Sequence, residues 1–104
     1  MKAVSFTAHA RQQIKDRSRL SIREIKYILD LDLVVLVGRE KNKIHKLFWS
    51  QSDLAWYVIV QDWNDNTVIT ILPKNCSRWK ISTDSLIKAK RIALSEKNKF
   101  YKLT

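Results

Sequence analysis

Glycine is almost missing from this 104-residue chain: Gly38 is the only one, and proline and cysteine also occur once each, as Pro73 and Cys76. A single glycine excludes the glycine-rich loops that cradle phosphates in P-loop and dinucleotide-binding proteins, so nucleotide cofactors held that way are not expected. A single cysteine cannot close an internal disulfide. Together with two histidines far apart in the sequence, His9 and His45, it matches no zinc-ligand spacing, and no structural metal is expected. No apolar run approaches the roughly 18 residues that suggest a membrane span. The first residues, Met1 to Thr7, lack the apolar stretch of a signal peptide, which makes a cytoplasmic protein the expectation. The length suits one domain, residues 1–104, and no repeat or low-complexity linker divides it.

Acidic residues are the other shortage, ten against twenty Lys and Arg, and the resulting charge of +10 is sorted along the chain. Residues 1–29 carry seven cations against Asp16 and Glu24, and residues 74–104 carry nine against Asp84 and Glu96, whereas residues 30–73 are slightly acidic. Both ends therefore attract an anion. A polyphosphate backbone is the commonest such partner, because each cation that meets a phosphate releases condensed counterions. An acidic protein or an anionic membrane surface satisfies the same charges, and basic helices can also be merely solvated.

Hydrophobic residues make up 45% of the chain, including four Trp, enough for a folded core. Thr7 can cap a helix over about 8–17, with Ala10 and Ile14 facing inward. Ser21-Ile22-Arg23-Glu24 reads as a capping box that opens a second helix, striped by Ile22, Ile25, Ile28 and Leu29 and ending near Asp30 to Asp32. From Leu33 to Leu72 β-branched and aromatic residues take over, with polar punctuation that predicts four antiparallel strands at about 33–40, 44–50, 54–62 and 67–72. The third and fourth are apolar on both faces, so both must be covered. Pro73 stops the last strand. Thr83 or Asp84 can then cap a helix to about residue 97, leaving Lys88, Lys90, Arg91 and Lys97 in water. The expected architecture is α+β, with two N-terminal helices, a four-stranded antiparallel sheet and a C-terminal helix.

Imidazole suits proton transfer near neutral pH, which singles out His9 and His45. His9 falls at the edge of the first helix's buried stripe. Arg17 falls near its inner side, where a guanidinium calls for a carboxylate or a bound phosphate; Asp30 or Asp32 could supply the carboxylate, and His9 could simply help cap its helix. His45 follows Arg39, Lys41 and Lys43 and precedes Lys46, making the first hairpin a basic finger. Should that finger share a groove with the first helix, two imidazoles and several cations would meet there. Such a set suits metal-free RNA cleavage, with one group taking the 2′-hydroxyl proton, another protonating the leaving oxygen, and cations stabilising the crowded phosphorus. With Arg11 and Lys15 on the first helix, these cations form the expected nucleic-acid surface. Lys74, Arg78 and Lys80 surround Trp79, which is either a stacking platform for an unpaired base or a lid on the core. Trp49, Trp56 and Trp63 read as core, and Cys76 as an idle thiol.

Phe6-Thr7-Ala8-His9-Ala10, then Arg17, then a capped helix at Ser21-Ile22, resembles the N-terminal signature of small RelE-like proteins. Trp56-Tyr57-Val58-Ile59-Val60 and Thr67-Val68-Ile69-Thr70-Ile71-Leu72 resemble that group's paired strands, so the likeness covers about residues 5–73. The chain departs from the pattern at Ser18-Arg19-Leu20, where a glycine usually follows the arginine, at Leu72, where an aromatic often ends the strand, and in the basic helix after Thr83. The resemblance implies a RelE-like fold of the superfamily that includes BrnT-type toxins and the colicin D nuclease domain: metal-independent ribonucleases that cut mRNA or tRNA, the toxins being held by an antitoxin. On matched positions it implies His9 and Arg17 as functional groups, with Thr70 near the site. The expectation is a small endoribonuclease of toxin type. Two alternatives use the same surface: a non-catalytic module that binds nucleic acid, and a phage or plasmid protein that binds and blocks an acidic host protein.

Overall fold

Two N-capped helices lead the chain onto the sheet. A computed structural model describes the backbone of residues 3–103 and the side chains of residues 3–95. After β1 (Ser5–Phe6), the Thr7 hydroxyl accepts the Ala10 N–H at 2.9 Å and opens α1 (Ala8–Arg17). Ser21 and Glu24 form the expected capping box at the start of α2 (Ile22–Asp30), satisfying backbone donors that would otherwise lack partners. Then come β2 (Val35–Glu40), β3 (Lys43–Ser50), β4 (Ala55–Asp62), β5 (Thr67–Ile71) and α3 (Thr83–Leu103). Ser82, not Thr83 or Asp84, caps α3 by accepting the Ser85 N–H at 3.1 Å. The Lys97 side chain lies outside the described residues.

The sheet has five strands in the order β1-β5-β4-β3-β2 and is mixed, which corrects the expectation of four antiparallel strands. β2 to β5 form an antiparallel meander, and the added strand β1 runs parallel to β5 with Ser5 opposite Thr67 and Phe6 opposite Val68. Two residues are too few to show a period of two, so the sequence pattern gives no sign of β1. A 2.9 Å hydrogen bond between the Ser5 and Thr67 hydroxyls fixes its register.

Alternate residues of the inner strands feed two separate cores, as the apolar pattern on both faces of β4 requires. Phe48, Tyr57, Ile59, Val68 and Ile71 pack under Ala10, Ile14, Leu20, Ile25 and Leu29 of the α1–α2 layer. On the other face Val35, Leu47 and Val58 meet Ala89 of α3, with Trp49, Trp56, Trp79, Ile81 and Ile92 around them. Trp63 departs from expectation. It stands in the turn after β4, 54% exposed, outside both cores. Among the described residues no helix is long and apolar enough to cross a membrane.

Candidate functional site

The expected meeting of two imidazoles does not occur. His45 points to the α3 face of the sheet and is only 7% exposed, its ring 4.3 Å from that of Trp79. His9 is exposed on α1, which packs on the opposite face through Ala10 and Ile14. His45 belongs to strand β3 opposite Gly38, and the alternation puts it on the same face as Leu47 and Trp49, which pack under α3. Trp79 is a lid on the core, not a base platform. It lies so close to Gly38 that a β-carbon there would sit 2.9 Å from Trp79 Cζ2, so the only glycine of the chain marks a close approach rather than a flexible turn.

Other expected groups are also redistributed. Lys46 is half-buried, and burial pushes its ammonium below the usual value while Asp32 pulls it back up, so it is not an open phosphate contact. Thr70 is half-buried, its hydroxyl 3.4 Å from the Ile71 carbonyl. Arg11 and Lys15 are exposed on α1, with the Arg11 guanidinium 5.6 Å from the Phe6 ring. Arg39, Lys41 and Lys43 are exposed at the first hairpin, and Lys74, Arg78 and Lys80 are exposed after β5. Arg17 pairs with neither Asp30 nor Asp32. Its Nη1 donates to the Ile71 carbonyl at 2.6 Å, while Asp30 takes the Lys26 ammonium.

That bond ties the end of α1 to the end of β5 and helps shape an open cleft of about 420 Å3 between the α1–α2 junction, the β3–β4 turn and the segment after β5. Asp16, Arg17, Ser18, Arg19, Asp53, Tyr57 and Lys74 line it. The Ile71 carbonyl occupies one N–H of the five on Arg17, leaving donors for another acceptor. Among the described residues no carboxylate pairs with Arg17, Arg19 or Lys74. Three cations in one concavity, set in a planar fork, a second fork and a mobile point charge, suit a phosphate or carboxylate.

Tyr57 and Asp53 brace the floor. The Tyr57 hydroxyl donates to Asp53 Oδ2 at 2.6 Å and lies 3.0 Å from the Arg17 carbonyl. Asp53 Oδ2 also accepts the Arg19 N–H at 3.2 Å, which fixes the backbone from which the Arg19 side chain projects. Burial, the hydrogen bond to Asp53 and that carboxylate's charge push the Tyr57 phenol well above its ordinary value, with Arg19 acting weakly the other way. Tyr57 thus keeps its proton in the folded state at pH values where the unfolded chain loses it. Its stabilising effect is complete below about pH 10 and falls beyond, by up to ~1.4 kcal/mol per pH unit. Urea unfolding between about pH 9 and 11.5 should show this decline in the wild type. Tyr57→Phe should flatten it while losing about 1–3 kcal/mol at neutral pH through the short hydrogen bond removed from Asp53. An unchanged alkaline limb in the variant would show that Tyr57 is not the group responsible.

Asp53, Tyr57 and Arg19 were not legible as site residues, because Arg19 lies 34 positions before Asp53 and only the packing of the α1–α2 junction on the start of β4 brings them together. The nearest sequence signal is Arg17, a cation on an inward helical position. Known protein families, curated proteins and solved structures yield no match to this chain.

Proposed function

We propose that the protein binds RNA through its phosphates, with the cleft at the end of α1 as the principal anion site. The observation that carries this reading is the convergence of Arg17, Arg19 and Lys74 on one concavity, with no carboxylate among the described residues paired to any of them. Arg11 and Lys15 extend the cationic surface along α1. The excess of +10 supplies long-range attraction for a polyanion. The reading places the protein in the cytoplasm with mRNA or tRNA as partner.

Fluorescence anisotropy of a labelled single-stranded RNA, titrated from about 50 to 300 mM salt, tests this directly. For single strands log affinity should fall by about 0.7 per phosphate contact per decade of salt, so the cleft alone predicts a slope of about −2. Arg19→Gln with Lys74→Gln removes two contacts. It should flatten the slope by about 1.4 and weaken binding roughly tenfold at 0.15 M salt. Salt-independent binding, or none, would overturn the reading and favour an acidic protein as the partner.

A second reading, endoribonuclease of RelE-like toxin type held by an antitoxin, draws on the position of His9. His9, Gln12 and Asp16 occupy one exposed flank of α1, and the flank ends at the cleft, which Asp16 lines. Gln12 Nε2 donates to Asp16 Oδ1 at 2.9 Å, leaving the His9 imidazole without a polar partner among the described residues. His9 and Arg17 stand about 12 Å apart along the helix axis. They cannot hold one phosphate between them, but an RNA gripped in the cleft and lying along this flank brings a neighbouring ribose to His9.

A further inference from the structure

The far end of the sheet carries an exposed aromatic that neither core uses. Trp63 follows β4 in the turn to β5, and its N–H donates to the Asn42 carbonyl at 2.7 Å, which docks this turn on the tip of the β2–β3 hairpin. The Arg39 guanidinium lies 4.7 Å from the centre of the indole. More than half of Trp63 is in water, with Lys41 and Lys43 exposed beside it. Two of the acidic groups nearby are engaged with the backbone: Asp62 Oδ1 accepts the Asn64 and Asp65 N–H groups at 2.8 and 3.3 Å, and Asp65 Oδ1 accepts the Thr67 N–H at 2.9 Å. These bonds make the turn a rigid mount. An indole held at its backbone, with a cation against one face and more than half of the residue in water, is preorganised for a flat ring.

We propose that Trp63, backed by Arg39, is a stacking site for an unpaired nucleobase of single-stranded RNA. The inference rests on the RNA-binding reading and adds a second point of contact to it. Base stacking on an aromatic side chain tolerates any base, because every base has a π face, and a neighbouring Arg strengthens it through its own planar charge. The eight residues of β4, Ala55–Asp62, separate Trp63 from the cleft end of the sheet. At about 3.3 Å per residue that is on the order of 25 Å, so one single strand several nucleotides long could engage both. Glu40, Asp62 and Asp65 balance Arg39, Lys41 and Lys43 in number at this end, so stacking rather than net charge must supply the affinity.

The test compares a single-stranded oligoadenylate of about 12 nucleotides with a duplex RNA of equal length, since paired bases cannot stack on a side chain. Trp63→Leu should weaken oligoadenylate binding about tenfold or more, while Trp63→Phe, which keeps a π face, loses only a few-fold. The salt slope should be the same in all three proteins, and duplex affinity should not change. Equal weakening by Leu and Phe, or an equal loss on duplex, would overturn the stacking site while leaving RNA binding through the cleft in place. Unchanged oligoadenylate binding in Trp63→Leu would do the same. Failure of the wild type to bind either RNA would remove both readings together.

Discussion

Trp79→Ala should lower the stability of the fold by about 3 kcal/mol, near the lower end for a core tryptophan because the indole is only half-buried. For a domain of this size the loss corresponds to a fall in Tm on the order of 15 °C. The indole spans the α3 face of the sheet at Gly38 and His45, so its removal opens the second core to water along the outer strands. Gly38→Ala attacks the same contact from beneath. A β-carbon 2.9 Å from Trp79 Cζ2 must push the ring away, an overpacking expected to cost about 1–3 kcal/mol. The two effects should not add. Once Trp79 is alanine, the methyl at position 38 meets only His45 Nδ1, at 3.3 Å, and the second substitution should cost much less than it does in the wild type. Chemical denaturation of the two single variants and the double variant gives the coupling directly; additive losses would mean that Gly38 matters for its backbone alone.

This contact also shows where the amino-acid pattern stopped being informative. The caps at Thr7 and Ser21, the inward stripe of α2 and the antiparallel meander were legible because each depends on neighbours within a few residues. Trp49 and Trp56 read as core and pack around the second core, but the roles of Trp63 and Trp79 were not legible. Trp63, directly after β4, and Trp79, in the segment between β5 and α3, both sit among polar residues, and only the path of the chain after Pro73 decides which is covered. Trp79 is folded back over the sheet by the segment leading to α3, whereas Trp63 is left more than half exposed in its turn. His45 illustrates the same limit: its charged neighbours suggest a fingertip, yet pleating turns its ring onto the α3 face. The cleft was the least legible feature, since Arg17, Asp53 and Lys74 share no local pattern.

His9→Ala is expected to slow RNA cleavage by about a hundredfold or more if the chain is a nuclease, while leaving RNA affinity within a few-fold of wild type. The asymmetry follows from placement: His9 contributes nothing to either core and lies outside the cleft, so its loss removes a proton carrier without disturbing the fold or the anion site. In the reaction the ribose 2′-oxygen bonds to the adjacent phosphorus and the bond from phosphorus to the 5′-oxygen breaks. His9 would take the 2′ proton or return one to the leaving oxygen. Products should therefore end in a 2′,3′-cyclic phosphate or its 3′-phosphate hydrolysis product, and activity should survive EDTA. Incubating wild type and variant with total RNA in EDTA, followed by end analysis, separates the readings. Intact RNA with the wild type, or equal cutting by His9→Ala, would leave a protein that binds RNA without using this residue to cleave it.

The parallel pairing of β1 with β5 has a consequence for the order in which the molecule assembles. Every other strand contact joins neighbours in sequence, but Ser5 and Thr67 are 62 positions apart. Closing a loop of that length costs about 2 kcal/mol more entropy than closing a four-residue hairpin. The meander can therefore zip up from its own turns, and it must exist before β1 has an edge to join. On a growing chain the first strand to be made has no partner until β5 emerges. The earliest segment of the sheet is thus the last to be fixed.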